Sequence, residues 1–137
     1  MRVIALDIGD RRCGIAAGDT GTRVAMPVKV LPTAEVMGNA RTWRIVLEDH
    51  EPELIVAGLP KSLSGAQGAQ ARHIREMAQR IAAAAGLPLE FSDERLSSAE
   101  AKRILRAQGL SERDMRGKLD SVAASLFLQT WFDAHGS

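Results

Sequence analysis

Four acidic residues occupy positions where acids are costly. Asp7 directly follows the apolar run Val3 to Leu6, Asp93 and Glu94 sit at the C-terminal end of a short strand from Leu89, and Asp120 opens an almost wholly apolar segment. A carboxylate at the end of a buried strand loses solvation unless it is paired or bound to a cation. Asp120 shares a helical stripe with Ala123, Ala124, Phe127 and Trp131, so it is expected to face a core rather than water. Carboxylates that converge repel one another until a cation neutralises them, and an all-oxygen donor set favours hard ions such as Mg²⁺ or Mn²⁺. The chemistry that uses such a site is phosphoryl transfer, in which two ions about 3.5–4 Å apart activate water and stabilise the leaving oxygen. Each acid also has a plainer role open to it. Asp7 can cap a turn through Gly9, Asp93 or Glu94 can pair with Arg95, and Asp120 can be a helix N-cap.

Other chemistry has weaker support. Gly58-Leu59-Pro60-Lys61, followed by a small-residue loop to Gly68, could approach a phosphate backbone but lacks the Gly-Lys-Ser/Thr order of a P-loop. His50, His73 and His135 show no metal-ligand spacing and are expected at the surface. Cys13 has no neighbouring histidine and reads as a buried structural thiol. Trp43 and Trp131 read as core, and a chain with no Tyr and three Phe offers little for stacking on single strands. Residues 95 to 118 carry Arg95, Lys102, Arg103, Arg106, Arg113, Arg116 and Lys118 against three acids, a possible phosphate footprint or simply a solvated face.

The elements that must position these residues follow from pattern. Val3 to Leu6 has the unbroken apolar character of a strand buried on both faces. Arg12 to Ala17 and Arg23 to Val30, separated by Gly18-Asp19-Thr20-Gly21, complete an antiparallel meander. A helix is expected from Thr33, as N-cap, to about His50, then a strand over Leu54 to Leu59. Ile74, Met77, Ala78, Ile81, Ala82 and Ala85 form a helical stripe closed by Gly86. Leu89 to Ser92 is a last short strand; a helix capped by Ser97 or Ser98 runs to Ala107, and a deeply packed helix begins at Asp120. Strands that alternate with helices run parallel through right-handed crossovers. The fold class is therefore α/β, with a mixed five-stranded sheet: a three-stranded antiparallel meander plus two parallel strands, flanked by helices. Sites in such sheets form beyond the carboxyl ends of the strands, where Asp7 and Glu94 arrive and which Asp120 can reach.

A length of 137 residues suits one domain, 1–137, with a core large enough to need no disulfide. No disorder is expected beyond the last few residues, Ala134 to Ser137. Net charge is +1, which leaves the choice of partner open. A lone cysteine and an N-terminal apolar run too short for a signal peptide or a membrane span point to a cytoplasmic protein.

Ala5-Leu6-Asp7-Ile8-Gly9-Asp10-Arg11-Arg12-Cys13-Gly14-Ile15-Ala16 resembles the opening of the YqgF/RuvX family, known as pre-16S rRNA nucleases or Holliday junction resolvases. The likeness continues through Ile55 to Pro60, Gly65 with Ala69-Gln70, Asp93 to Ala101, and Lys118 to Ala124, in the family's order. The resemblance implies an RNase H-like fold, with Asp7, Glu94 and Asp120 as catalytic, metal-binding acids and Asp93 as the less favoured neighbour. It further implies trimming of the 5′ end of precursor 16S rRNA. This chain departs from the family at Lys61-Ser62-Leu63-Ser64 and is less basic before Asp120.

The expected function is a Mg²⁺- or Mn²⁺-dependent nuclease acting on structured RNA, with Arg11, Arg12, Lys61 and Arg95 positioning phosphates. Alternatives are a Holliday junction resolvase on branched DNA, needing paired sites in a homodimer, and a non-catalytic RNA-binding assembly factor for ribosomal precursor particles. An ATPase of the actin or Hsp70 type shares the Asp-x-Gly start but needs two such domains around its nucleotide. No membrane partner is expected, and both monomer and homodimer remain open.

Overall fold

The computed structural model of the chain describes residues 1–60, 65–93 and 97–135. Five strands form one mixed sheet in the order β3-β2-β1-β4-β5. They are β1 (Arg2–Ile8), β2 (Arg12–Asp19), β3 (Val24–Pro32), β4 (Leu54–Leu59) and β5 (Leu89–Asp93). β1, β2 and β3 are the antiparallel meander, and β4 and β5 add parallel to β1. This is the topology expected from the pattern. The strands extend further than the apolar runs suggest: β1 continues through Asp7 to Ile8, because Asp7 and Ile8 stay in register with Gly14 and Cys13 of β2. Asp7 is thus a strand residue, not the residue after a strand.

Period-two alternation splits the sheet into two faces. On one face Ile4, Leu6, Ile15, Ile55 and Ala57 pack under α1 (Thr33–Met37), α2 (Arg41–His50) and α3 (Gly65–Ala85), together with Trp43, Val46, Ile74 and Ile81. On the other, Val3, Ala5, Ala16, Leu54 and Val56 pack under α6 (Leu119–His135), against Phe127, Leu128, Trp131 and Phe132. Helix α4 (Ser97–Ala107) lies against α6, with Ala101 and Leu105 buried, and the short α5 (Glu112–Arg116) links them. Among the described residues no helix is long and apolar enough to cross a membrane.

Several boundaries differ from expectation for local reasons. The single helix expected from Thr33 to His50 is two helices, since Gly38 ends the first and Asn39 takes φ 53, a left-handed conformation that interrupts helical bonding. Thr33 is not the N-cap. Pro32 holds that position, and the Thr33 hydroxyl instead donates to the Gly9 carbonyl at 2.7 Å. Helix α3 begins at Gly65, inside the stretch expected as loop. Helix α5 was not expected at all; Ser111 caps it by accepting from Asp114 N–H. The last helix runs to His135, whose ring stacks on Trp131 with centroids 4.4 Å apart.

Candidate active site

The two short stretches of chain that frame the carboxyl edge of β1 are tied down by hydrogen bonds. Gly9 N–H donates to Arg12 O at 2.9 Å, closing the β1–β2 turn. Thr33 N–H donates to Arg11 O at 2.9 Å while its hydroxyl holds Gly9 O. Thr33 is buried, so the start of α1 braces the turn that follows Asp7 from beneath. Neither brace is signalled by the sequence pattern, because a threonine after a proline reads first as a cap.

Asp7 alternates with Ala5 and Val3 and so lies on the face covered by α6. Its partner across the antiparallel ladder is Gly14. Above Gly14 sits the first turn of α6: a Cβ added to Gly14 would lie 2.1 Å from Asp120 O and 2.7 Å from Ser121 N. The helix therefore rests on the strand backbone itself. Adjacent strands are about 5 Å apart, so Asp7 and Asp120 come together over the same patch of sheet. A second close approach to α6 lies two steps along β2, where Gly18 faces the Phe132 ring, with Ala16 between them. The run Gly14, Ala16, Gly18 is a track of small residues at a spacing of two. It is the sequence signal that would have revealed where α6 lies.

Asp120 sits within the first turn of α6 rather than at its cap, which sets aside its plainer role. Its carboxylate is 22% exposed and lies 3.2 Å from Nε of Arg12, itself 54% exposed. Gly9, Asp10, Arg11, Arg12 and Asp120 line an open cleft of about 420 Å³ here. A wider cleft of about 540 Å³, lined largely by apolar residues near Val24 and Met26, lies at the other end of the sheet and contains none of the candidate acids. The convergence of charge is felt by Cys13, which is buried. Burial pushes its thiol far up from the usual range, and the carboxylates of Asp7 and Asp120 push it further. Cys13 is thus an inert core thiol, as its surroundings in the sequence suggest.

Asp93 ends β5 opposite Leu59, whose side chain packs with the α1–α3 face. Residues paired across a ladder share a face, so Asp93 lies on the side of the sheet away from Asp7. Ser92, one residue earlier, is on the α6 side, where its hydroxyl reaches Phe127 O at 3.4 Å. Glu94, Lys61 and Arg95 lie outside the described residues. Among the described residues no three His, Cys, Asp or Glu side chains gather as a metal cage; Asp7 and Asp120 supply two oxygen donors of the kind a hard divalent cation takes. Arg11 and Arg12 are exposed beside them. Lys102, Arg103 and Arg106 are exposed on α4, where Arg103 is held by Glu100 and keeps that carboxyl below its usual range.

Over residues 1–134 the chain matches the family described as "RuvX: Holliday junction resolvase". It belongs to the RuvX (YqgF) family. A relative from Anaeromyxobacter sp. (strain Fw109-5), named "Putative pre-16S rRNA nuclease", is 40% identical over 133 residues, covering 97% of each chain. One of the same name from Thermosynechococcus vestitus is 35% identical over 134 residues, covering 98% of this chain and 89% of that one. Among solved structures, T. thermophilus RuvC in complex with a Holliday junction substrate superposes with a TM-score of 0.55 at 19% identity, over 98% of this chain and 95% of that one. The fowlpox virus Holliday junction resolvase also gives 0.55, at 12% identity, over 98% of this chain and 99% of that one. At such identities these two show the fold alone: the RNase H-like architecture with its mixed five-stranded sheet.

Proposed function

We propose that this member of the RuvX family is a Mg²⁺- or Mn²⁺-dependent nuclease that processes the 5′ end of precursor 16S rRNA in the cytoplasm. The observation that carries the proposal is the seating of α6 on Gly14, which brings Asp120 beside Asp7 at the carboxyl edge of the sheet. Asp7, Asp120 and Glu94 would hold the metal. Glu94 is chosen over Asp93 because Asp93 pairs with Leu59 on the opposite face. The bound metal would supply an activated water and stabilisation of the leaving oxygen. Arg11, Arg12, Lys61 and Arg95 would hold phosphates, and contacts of that kind favour a nucleic-acid shape over a base sequence. Relatives at 35–41% identity carry the name of a precursor 16S rRNA nuclease, which supports RNA as the substrate.

The test is cleavage of a precursor rRNA carrying the unprocessed 5′ end, with Mn²⁺, by the wild type and Asp7→Asn. A fall of about a hundredfold or more is expected, since removing a metal ligand costs at least what loss of its supporting shell does. Equal cleavage by the two proteins would sink the assignment. The family description favours one other reading, branched DNA. Paired cuts need two sites in a dimer, so a strictly monomeric protein in solution counts against it. For a non-catalytic assembly factor, Mn²⁺ would stabilise the wild type no more than Asp7→Asn.

A further inference from the structure

Arg12 lies where two roles meet. Its backbone is fixed, because its carbonyl accepts from Gly9 N–H and its residue pairs with Pro32 of β3. Its side chain is half exposed, lines the cleft with Arg11 and Asp10, and ends 3.2 Å from Oδ2 of Asp120. The guanidinium faces Asp120, and among the described residues it is held by one partly exposed ion pair. Such pairs are weak and exchange readily. A divalent cation taken up by Asp7 and Asp120 would carry twice the charge onto the same carboxylate and repel the guanidinium. Resting on the metal-dependent reading above, we propose that Arg12 is the resident counter-ion of Asp120, gives way to the divalent cation, and turns into the cleft to take a substrate phosphate.

Arg12 is then a positioning residue that couples metal uptake to phosphate capture. Its loss acts in opposite directions on the two. Metal no longer competes with the guanidinium and binds more tightly, while substrate phosphate loses a donor and cleavage falls. A purely structural role would weaken both together.

The experiment is calorimetric titration of Mn²⁺ alone into the wild type, Arg12→Gln, Arg12→Lys and Asp7→Asn, each first stripped with chelator and checked for an unchanged melting temperature. Arg12→Gln is expected to bind Mn²⁺ about two- to fivefold more tightly than the wild type, the span of a partly exposed ion pair. Arg12→Lys, which keeps the charge, falls between them. An Arg12→Gln affinity equal to or weaker than the wild type would overturn the proposal. Asp7→Asn separates the two ways of failing. If Mn²⁺ binds the wild type no better than Asp7→Asn, the metal site itself is wrong. If it binds the wild type better but Arg12→Gln no more tightly still, only the counter-ion role falls.

Discussion

Replacing Gly14 by alanine puts a methyl group where the first turn of α6 already sits. That carbon would lie 2.1 Å from Asp120 O, 2.2 Å from its carbonyl carbon and 2.7 Å from Ser121 N, whereas ordinary contact begins near 3.4 Å. The atoms on both sides are backbone, so no side chain can rotate away. Strand and helix must part by more than an ångström. Overpacking of this kind costs about 1–3 kcal/mol of stability, or about 1 M in a urea midpoint. The larger effect is on chemistry, since an error of about 1 Å at a reacting centre can cost about a hundredfold in rate. Every proposed ligand is still present in Gly14→Ala, so only the geometry changes. The assays are urea unfolding, the rise in melting temperature with Mn²⁺, and cleavage of the precursor rRNA end. The expected variant is folded, modestly destabilised, unresponsive to Mn²⁺ and nearly inactive. A Gly14→Ala protein with wild-type stability and a wild-type Mn²⁺ response would refute the claim that this backbone contact sets the site.

Thr33→Val keeps the shape but removes the hydroxyl that holds Gly9 O at 2.7 Å. A loss of about 1–2 kcal/mol in urea unfolding is expected, with faster amide exchange in the β1–β2 turn. Cys13, whose thiol is pushed up from its ordinary 9.0 by burial and by Asp7 and Asp120, should stay protonated in the folded chain while the unfolded chain ionises. Stability is then unaffected below about pH 9 and falls above it, by about 1.4 kcal/mol per pH unit. Cys13→Ala should remove that part of the alkaline slope, measured by unfolding from pH 8 to 10.5. The native wild-type thiol should also resist a disulfide reagent at pH 8. Phe127→Ala, which empties a fully buried position under α6, should cost about 3–5 kcal/mol by the same unfolding measurement.

The architecture was legible because its signals are local. Val3 to Leu6 and Leu54 to Leu59 are continuous apolar runs, the turn residues between Gly18 and Gly21 force a hairpin, and intervening helices force the parallel pairing of β1, β4 and β5. Asp7 and Asp120 stood out as acids amid apolar neighbours, and the fold brings them together. What escaped depends on partners distant in the chain. Asn39 breaks a helix by a left-handed backbone angle that its neighbours do not dictate. Thr33 spends its hydroxyl on a turn twenty-four residues earlier. The face on which Asp93 lies follows from the register of β5 on Leu59, which inspection of the strand alone does not supply. Gly14 reads as a weak spot in a strand until the helix that rests on it is in place.

That helix comes from the far end of the sequence. Asp7 is made among the first residues of the chain, Asp120 among the last, and their meeting depends on α6 docking along the small-residue track of β2. A chain still emerging from the ribosome has Asp7 and the meander but no Asp120 to set beside it. If these acids hold the metal, a nascent or C-terminally truncated chain cannot cut nucleic acid. The activity would switch on only with completion of the fold, a safeguard for a nuclease synthesised on the ribosome, itself an RNA machine.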